Sequence, residues 1–135
     1  MYSYTELMNK FYRGTNLNKL AYKLENNTYV IKTNKIAPTF DITLHGSPIA
    51  QIKQDKIVLS SCGWYTMTTK DRLNKILSDN QTGYTIYQVS HIWYIYANNP
   101  MDNYIPLKNR GKVKFADGVE FMLCGDNIWR ILNIR

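Results

Sequence analysis

From Thr28 onward the apolar residues stop recurring at helical spacing and begin to alternate, and that change of period constrains the fold more than any other feature of the chain. Tyr29 to Thr33, Phe40 to Leu44, Ile49 to Lys53 and Lys56 to Ser60 are short runs rich in Ile, Val, Tyr and Thr, residues that suit a pleated, half-buried surface. Gly46-Ser47-Pro48 and Gln54-Asp55 separate them with turn chemistry, and the spacing predicts an antiparallel meander. A second set follows Gly83. Tyr84 to Gln88 and Ile92 to Tyr96 flank a Val89-Ser90-His91 turn, Val113 to Phe115 and Val119 to Leu123 flank Ala116-Asp117-Gly118, and Ile128 to Ile134 follows Gly125-Asp126-Asn127. The Asp-Gly and Gly-Asp pairs are the strongest local hairpin signals. Pro100 to Arg110 reads as a loop, with a short strand around Tyr104-Ile105 as an alternative.

Helical signals lie at the start and in the middle. Ser3-Tyr4-Thr5-Glu6 has the form of a capping box, Leu7, Met8, Phe11 and Tyr12 share one face, and Gly14 is a natural stop, so a helix is expected over 4–13. Leu17, Leu20, Ala21 and Leu24 recur at i, i+3, i+4 and i+7 and favour a second helix ending at Asn26-Asn27. Leu20, Tyr22 and Leu24 also alternate, which is the pattern of a hairpin turning at those same asparagines. Further on, Thr68 is placed to cap a helix over about residues 69–78, with Asp71 in its first turn and Leu73, Ile76 and Leu77 as its buried stripe. The resulting expectation is one α+β domain over 1–135. Residues 1–25 are helical, as one helix or a pair, and 28–134 are β-rich hairpins and meander with one helix after the Gly63-Trp64 turn.

Hydrophobic residues make up 44% of the chain and charged residues 20%, a balance that excludes disorder. The opening MYSYTELMNK lacks the pattern of a signal peptide, and no apolar run reaches the roughly 18 residues of a membrane span, so a soluble, unexported protein is expected. Cys62 and Cys124 stand outside any CxxC pairing and read as reduced thiols. Seventeen basic residues against ten acidic give a net charge of +7, which favours a polyanionic partner such as nucleic acid. Lysine dominates that excess, however, and AT-rich genomes produce the same bias with no binding role.

The residues argue against catalysis. The acids are scattered singly in turns and helix starts, where structural roles account for them, so no carboxylate pair is expected. His45 and His91 lack the further ligands of a metal site, and there is no phosphate-cradling glycine loop, nucleophile elbow or dinucleotide fingerprint. Cys62 with His45 as base is the one nucleophile worth weighing, and a small buried thiol at a strand end is the preferred account of Cys62. The expectation is a non-enzyme without catalytic residues, cofactor or metal.

Binding is better supported. Lys108, Arg110, Lys112 and Lys114 have no acid between Asp102 and Asp117 and form a candidate phosphate-contacting patch, the alternative being a solvated edge strand guarded by lysines. Lys70, Arg72 and Lys75 add a second basic cluster. At the expected helix start, Thr66, Thr68, Thr69, Lys70 and Arg72 together suit a phosphate. Trp64 is expected to plug the core beneath that helix rather than to serve as a stacking platform. Eleven tyrosines offer stacking surface to bases, and equally to a protein partner.

ENNTYVIK, ITLHGSPIAQI, IVLSSCGWYTMTTKDRLNKIL, YQVSHIWYI and VKFADGVEF, in that order over about residues 25 to 121, resemble a family of small tailed-bacteriophage proteins without an assigned activity. The family pattern, LH followed by GW-x-T-x-TTK-x-R-x-N, falls on His45, Gly63, Trp64, Thr66, Thr68, Thr69, Lys70, Arg72 and Asn74, and Cys62 stands where a small residue is expected. The resemblance leaves the N-terminal helix and the last strand outside it. It implies phage origin, hence the cytoplasm of a bacterial host, and one shared fold. The reading that follows is a phage accessory protein that binds nucleic acid, with a protein-interaction module or inhibitor as the second candidate and a virion component as a remote third.

Overall fold

In the computed structural model, which describes residues 1–13, 18–34, 36–98 and 112–132, the alternating runs form two antiparallel sheets and the periodic ones two helices. Helix α1 (Tyr4–Tyr12) is capped by Ser3 Oγ, which accepts from the Glu6 amide at 3.1 Å, while the Glu6 carboxylate takes the terminal ammonium at 2.7 Å. It buries Leu7 and Phe11, and Phe11 stacks on Phe40 at 5.4 Å.

The helix that Leu17, Leu20, Ala21 and Leu24 favour does not form, and 21–32 is the hairpin that was its rival. Strands β1 (Ala21–Glu25) and β2 (Thr28–Lys32) pair antiparallel around Asn26-Asn27, with a register shift between Lys23 and Glu25 and with Asn27 at φ 54°. A helix that short is marginal alone, whereas a strand here extends a sheet and brings Tyr22 edge-on to Phe11 at 4.9 Å. Asparagine tolerates the left-handed turn that the hairpin requires.

From there the chain runs as a plain meander through β3 (Phe40–Leu44), β4 (Ser47–Ile52) and β5 (Lys56–Leu59). Strand β4 carries a bulge, since Ile42 faces Ala50 while Thr43 faces Pro48. The extra residue, Ile49, turns inward, which is why Ile49 and Ala50 are buried consecutively. After β5, a Cys62-Gly63 turn with φ values of 52° and 81° leads to helix α2 (Met67–Asp79), which buries Leu73, Ile76 and Leu77 as expected. Its cap is Thr66 rather than Thr68. Thr66 Oγ1 accepts from the Thr69 amide at 3.2 Å, so the helix starts two residues earlier than the Asp71 position suggests.

Strands β6 (Tyr84–Val89) and β7 (Ile92–Ala97) form a tight hairpin through Ser90-His91, and β8 (Lys112–Lys114) joins β7 to complete a small sheet. The loop expected over Pro100 to Arg110, with its strand alternative, lies outside the described residues. Asp117-Gly118 makes its turn, with the Val119 amide on the Ala116 carbonyl at 3.1 Å, but it does not join a hairpin. Strand β9 (Val119–Leu123) crosses instead to pair with β5, and β10 (Trp129–Leu132) pairs with β9, giving the large sheet the order β1-β2-β3-β4-β5-β9-β10. The crossing places Phe121 beside Ile57 and Ile131 in one buried row, a gain that local turn signals do not carry.

Both helices and the inner face of the small sheet share one apolar core with the large sheet, which makes this a single α+β domain. Two side chains seal sheet edges. Asn74 of α2 accepts from the Ile86 amide at 2.8 Å and donates to its carbonyl at 2.9 Å, acting as an extra strand beside β6. The Tyr84 hydroxyl donates to the Trp129 carbonyl and accepts from the Ile131 amide, both at 3.2 Å, along β10. No helix among the described residues is long and apolar enough to cross a membrane.

Candidate nucleic-acid interface

The two basic clusters of the sequence meet opposite fates. On α2, Arg72 is 9% exposed and turned inward. Its Nε donates to Thr28 Oγ1 at 2.9 Å, and its Nη1 lies 3.1 Å from Glu25 and 2.7 Å from Asp71. Lys75 closes the same cluster, 3.0 Å from Glu25 and 3.3 Å from Asp71. The Tyr2 hydroxyl donates to Glu25 from the other side. Burial works to raise the Glu25 carboxyl, but hydrogen bonds from Tyr2 and Lys75 and the charges of Arg72 and Lys75 outweigh it and hold the group below its usual range. Burial first, then Glu25, pushes the Tyr2 hydroxyl far above the ordinary phenol range. Arg72 and Lys75, expected at phosphates, are thus committed to a clamp joining the N-terminus, the β1–β2 hairpin and α2. Lys70 is half-buried and makes no ion pair among the described residues.

The small sheet holds the other cluster. Because strand side chains alternate, Ile86, Trp93 and Ile95 face the core at 2% exposure or less, and their neighbours face away from it. Tyr87 lies opposite Tyr94, Tyr94 opposite Lys114, and Tyr96 opposite Lys112, so three tyrosines and two lysines share the outer face. The Tyr87 ring sits 5.8 Å from Tyr94 and 5.1 Å from Tyr96, and Lys112 Nζ lies 4.6 Å from the Tyr94 centroid. Thr85, Val89 and Ile92 complete the face, and none of its described positions is an acid. Lys108 and Arg110 precede β8 and lie outside the described residues. The sequence supplied the lysines but not their aromatic neighbours, although the alternation in Ile92-Trp93-Tyr94-Ile95-Tyr96 carries the signal.

The residues of the bacteriophage pattern separate by role. Gly63 serves the left-handed turn and Asn74 the edge of β6. His45, Trp64, Thr66, Thr68 and Thr69 converge, with Leu44, Ser47 and Ile49, on a pocket of about 330 Å³ at the start of α2. Trp64 is not the expected core plug, being 62% exposed; its neighbour Tyr65 is also 52% exposed and lies edge-on to the buried Trp93 at 4.8 Å and Phe115 at 6.5 Å. Within the pocket, Thr66 and Thr69 bond each other at 3.0 Å, so one of the two hydroxyl protons is spent on the other threonine. Cys62 is half-buried and donates to the Pro48 carbonyl at 2.9 Å rather than facing His45 as a nucleophile would.

No curated protein and no solved structure matches this chain. A family model described as Kyanoviridae Gp96 protein matches residues 4–121, which brings α1 inside the family although the sequence pattern left it out, and ends before β10. That match spans most of the chain, its bacteriophage origin agrees with the resemblance read from the motifs, and the chain therefore belongs to the Kyanoviridae Gp96 protein family, a family of tailed-phage proteins.

Proposed function

We propose that this phage protein is a non-enzymatic accessory protein that binds single-stranded nucleic acid in the host cytoplasm through the outer face of β6, β7 and β8. One observation carries the reading: Tyr87, Tyr94 and Tyr96 lie beside Lys112 and Lys114 on a face whose described positions include no acid. Aromatic rings stack on bases of any sequence, and the flanking ammonium groups meet the phosphates between them. Stacking of this kind needs unpaired bases, so single strands are favoured over duplex.

The reading is tested by fluorescence anisotropy with labelled single- and double-stranded DNA and RNA at two salt concentrations. Single strands are expected to bind with a Kd of about micromolar or tighter at low salt and to weaken steeply as salt rises. Duplex binding equal to single-strand binding, or no binding at low salt, sinks it. A protein-interaction module is the second reading, favoured by the exposure of Trp64 at 62% and Met67 at 81%. Its affinity persists in salt and rests on a few aromatic anchors.

A further inference from the structure

The pocket at the start of α2 lies apart from the tyrosine face and is built for a different contact. Three chain segments form it: the β3–β4 turn gives His45 and Ser47, the bulged β4 gives Ile49, and the loop and first turn of α2 give Trp64, Thr66 and Thr68. Ile49 is buried and the indole is largely exposed, so apolar surface lies both within the pocket and at its rim. The His45 imidazole, the Ser47 hydroxyl and the Thr68 hydroxyl make no hydrogen bond to another described residue. No Asp, Glu, Lys or Arg is among the described residues that line the space.

Those features restrict the ligand. A charged group entering here meets no countercharge, and burying a charge unpaired is costly, so the part that enters is neutral. A volume of about 330 Å³ suits a small organic group. An indole and aliphatic side chains lining one pocket suit the flat faces of an unsaturated ring, and the single donors and acceptors of His45, Ser47 and Thr68 suit its edge. A hexose fits less well, because it presents more hydroxyls than these side chains can bond and each one left dry is penalised.

We infer that this pocket binds a nucleobase, either of a free nucleoside or of an unpaired nucleotide in a strand. Trp64 covers the ring face, and His45, Ser47 and Thr68 bond its edge. The inference does not depend on the tyrosine face.

Indole emission tests it, since Trp93 and Trp129 are 2% and 7% exposed and Trp64 is the tryptophan a ligand can reach. Titration with adenosine, guanosine, cytidine and thymidine is expected to give saturable quenching with at least one of them, none with glucose, and none in Trp64→Phe. His45→Asn keeps a residue that tolerates the left-handed turn at φ 52°, and Thr68→Ala alters an exposed hydroxyl. Each is expected to weaken the nucleoside by about tenfold, as expected for a lost hydrogen bond to a desolvated group. Tyr94→Ala with Tyr96→Ala must leave nucleoside quenching unchanged, so failure of the tyrosine face is distinguishable from failure of the pocket. An oligonucleotide that quenches Trp64 at lower concentration than its nucleosides identifies a strand as the source, and the reverse order identifies the free nucleoside. The inference is overturned if neither nucleosides nor oligonucleotides quench saturably, if glucose does so equally, or if quenching survives both His45→Asn and Thr68→Ala.

Discussion

Helix α2 and strand β8 carry basic clusters that look alike in the sequence, yet one is consumed by the fold and the other is left over. On α2, Glu25 and Asp71 hold Arg72 and Lys75, and Thr28 and the Asn26 carbonyl take the remaining guanidinium contacts. On β8, Lys112 and Lys114 stand among tyrosines with no acid at the described positions of the same face. What separates them is the position of Glu25, brought to α2 by the β1–β2 hairpin. Net charge therefore overstates what a polyanion can reach, and available charge has to be counted after the chain has folded.

Breaking the first cluster has the largest expected effect. Arg72→Ala leaves Glu25 to Lys75 and Tyr2 alone and removes the donor from buried Thr28, and is expected to cost about 3 kcal/mol of stability, read from the urea midpoint. The folded fraction should bind single strands as before; a loss of affinity at unchanged stability would return Arg72 to the binding surface. On the other cluster, Tyr94→Ala is expected to weaken a single strand by about 1–3 kcal/mol, the worth of one stacked base, with a small change in melting temperature. Lys112→Gln with Lys114→Gln sharpens the contrast further. If each lysine meets one phosphate, the slope of log affinity against log salt should become shallower by about 1.4, while Lys75→Gln leaves it unchanged.

The smallest effect is expected in acid. The Glu25 carboxyl is held below its usual value in the folded state, so its contribution is fully present above the unfolded carboxylate pKa and lost as pH falls through the folded one. Stability should decline from about pH 4.5 downward, and Glu25→Gln, already weaker at neutral pH, should show a shallower acid limb in a pH series of thermal melts. An equally steep limb would move that acid sensitivity to other carboxylates.

The meander from Thr28 to Ser60 and the stripe of α2 were legible because alternation and helical period are written locally. Residues 17 to 25 satisfied both periods, and only the neighbouring β2 and Phe11 decide between them. Asp117-Gly118 was legible as a turn but not as a passage between sheets, since the partner that draws β9 away is β5. Trp64 and Tyr65 are both left more than half exposed, and nothing in the sequence says that the core takes neither. At the site, the lysines were visible from composition, whereas the tyrosine platform required the register of β6, β7 and β8. Asn74, readable only as part of a motif, acquires a reason when Ile86 is found beside it.

The chain leaves the large sheet at Leu59 and re-enters it at Val119, directly alongside, with the Gly118 amide on the Leu59 carbonyl at 2.8 Å. In topological terms residues 60–118 are an insertion into a simple seven-stranded meander, its two ends meeting where a short turn alone would close the hairpin. The entropy of closing such an excursion grows slowly with its length, so closure itself constrains it little, whereas α2 and the inner face of β6 and β7 are held by the core they share with the large sheet. The tyrosine face and Trp64 both belong to the splice. Residues on the outer side of the splice, Trp64 and the tyrosines among them, can therefore be exchanged while the register of the carrier sheet stays as it is.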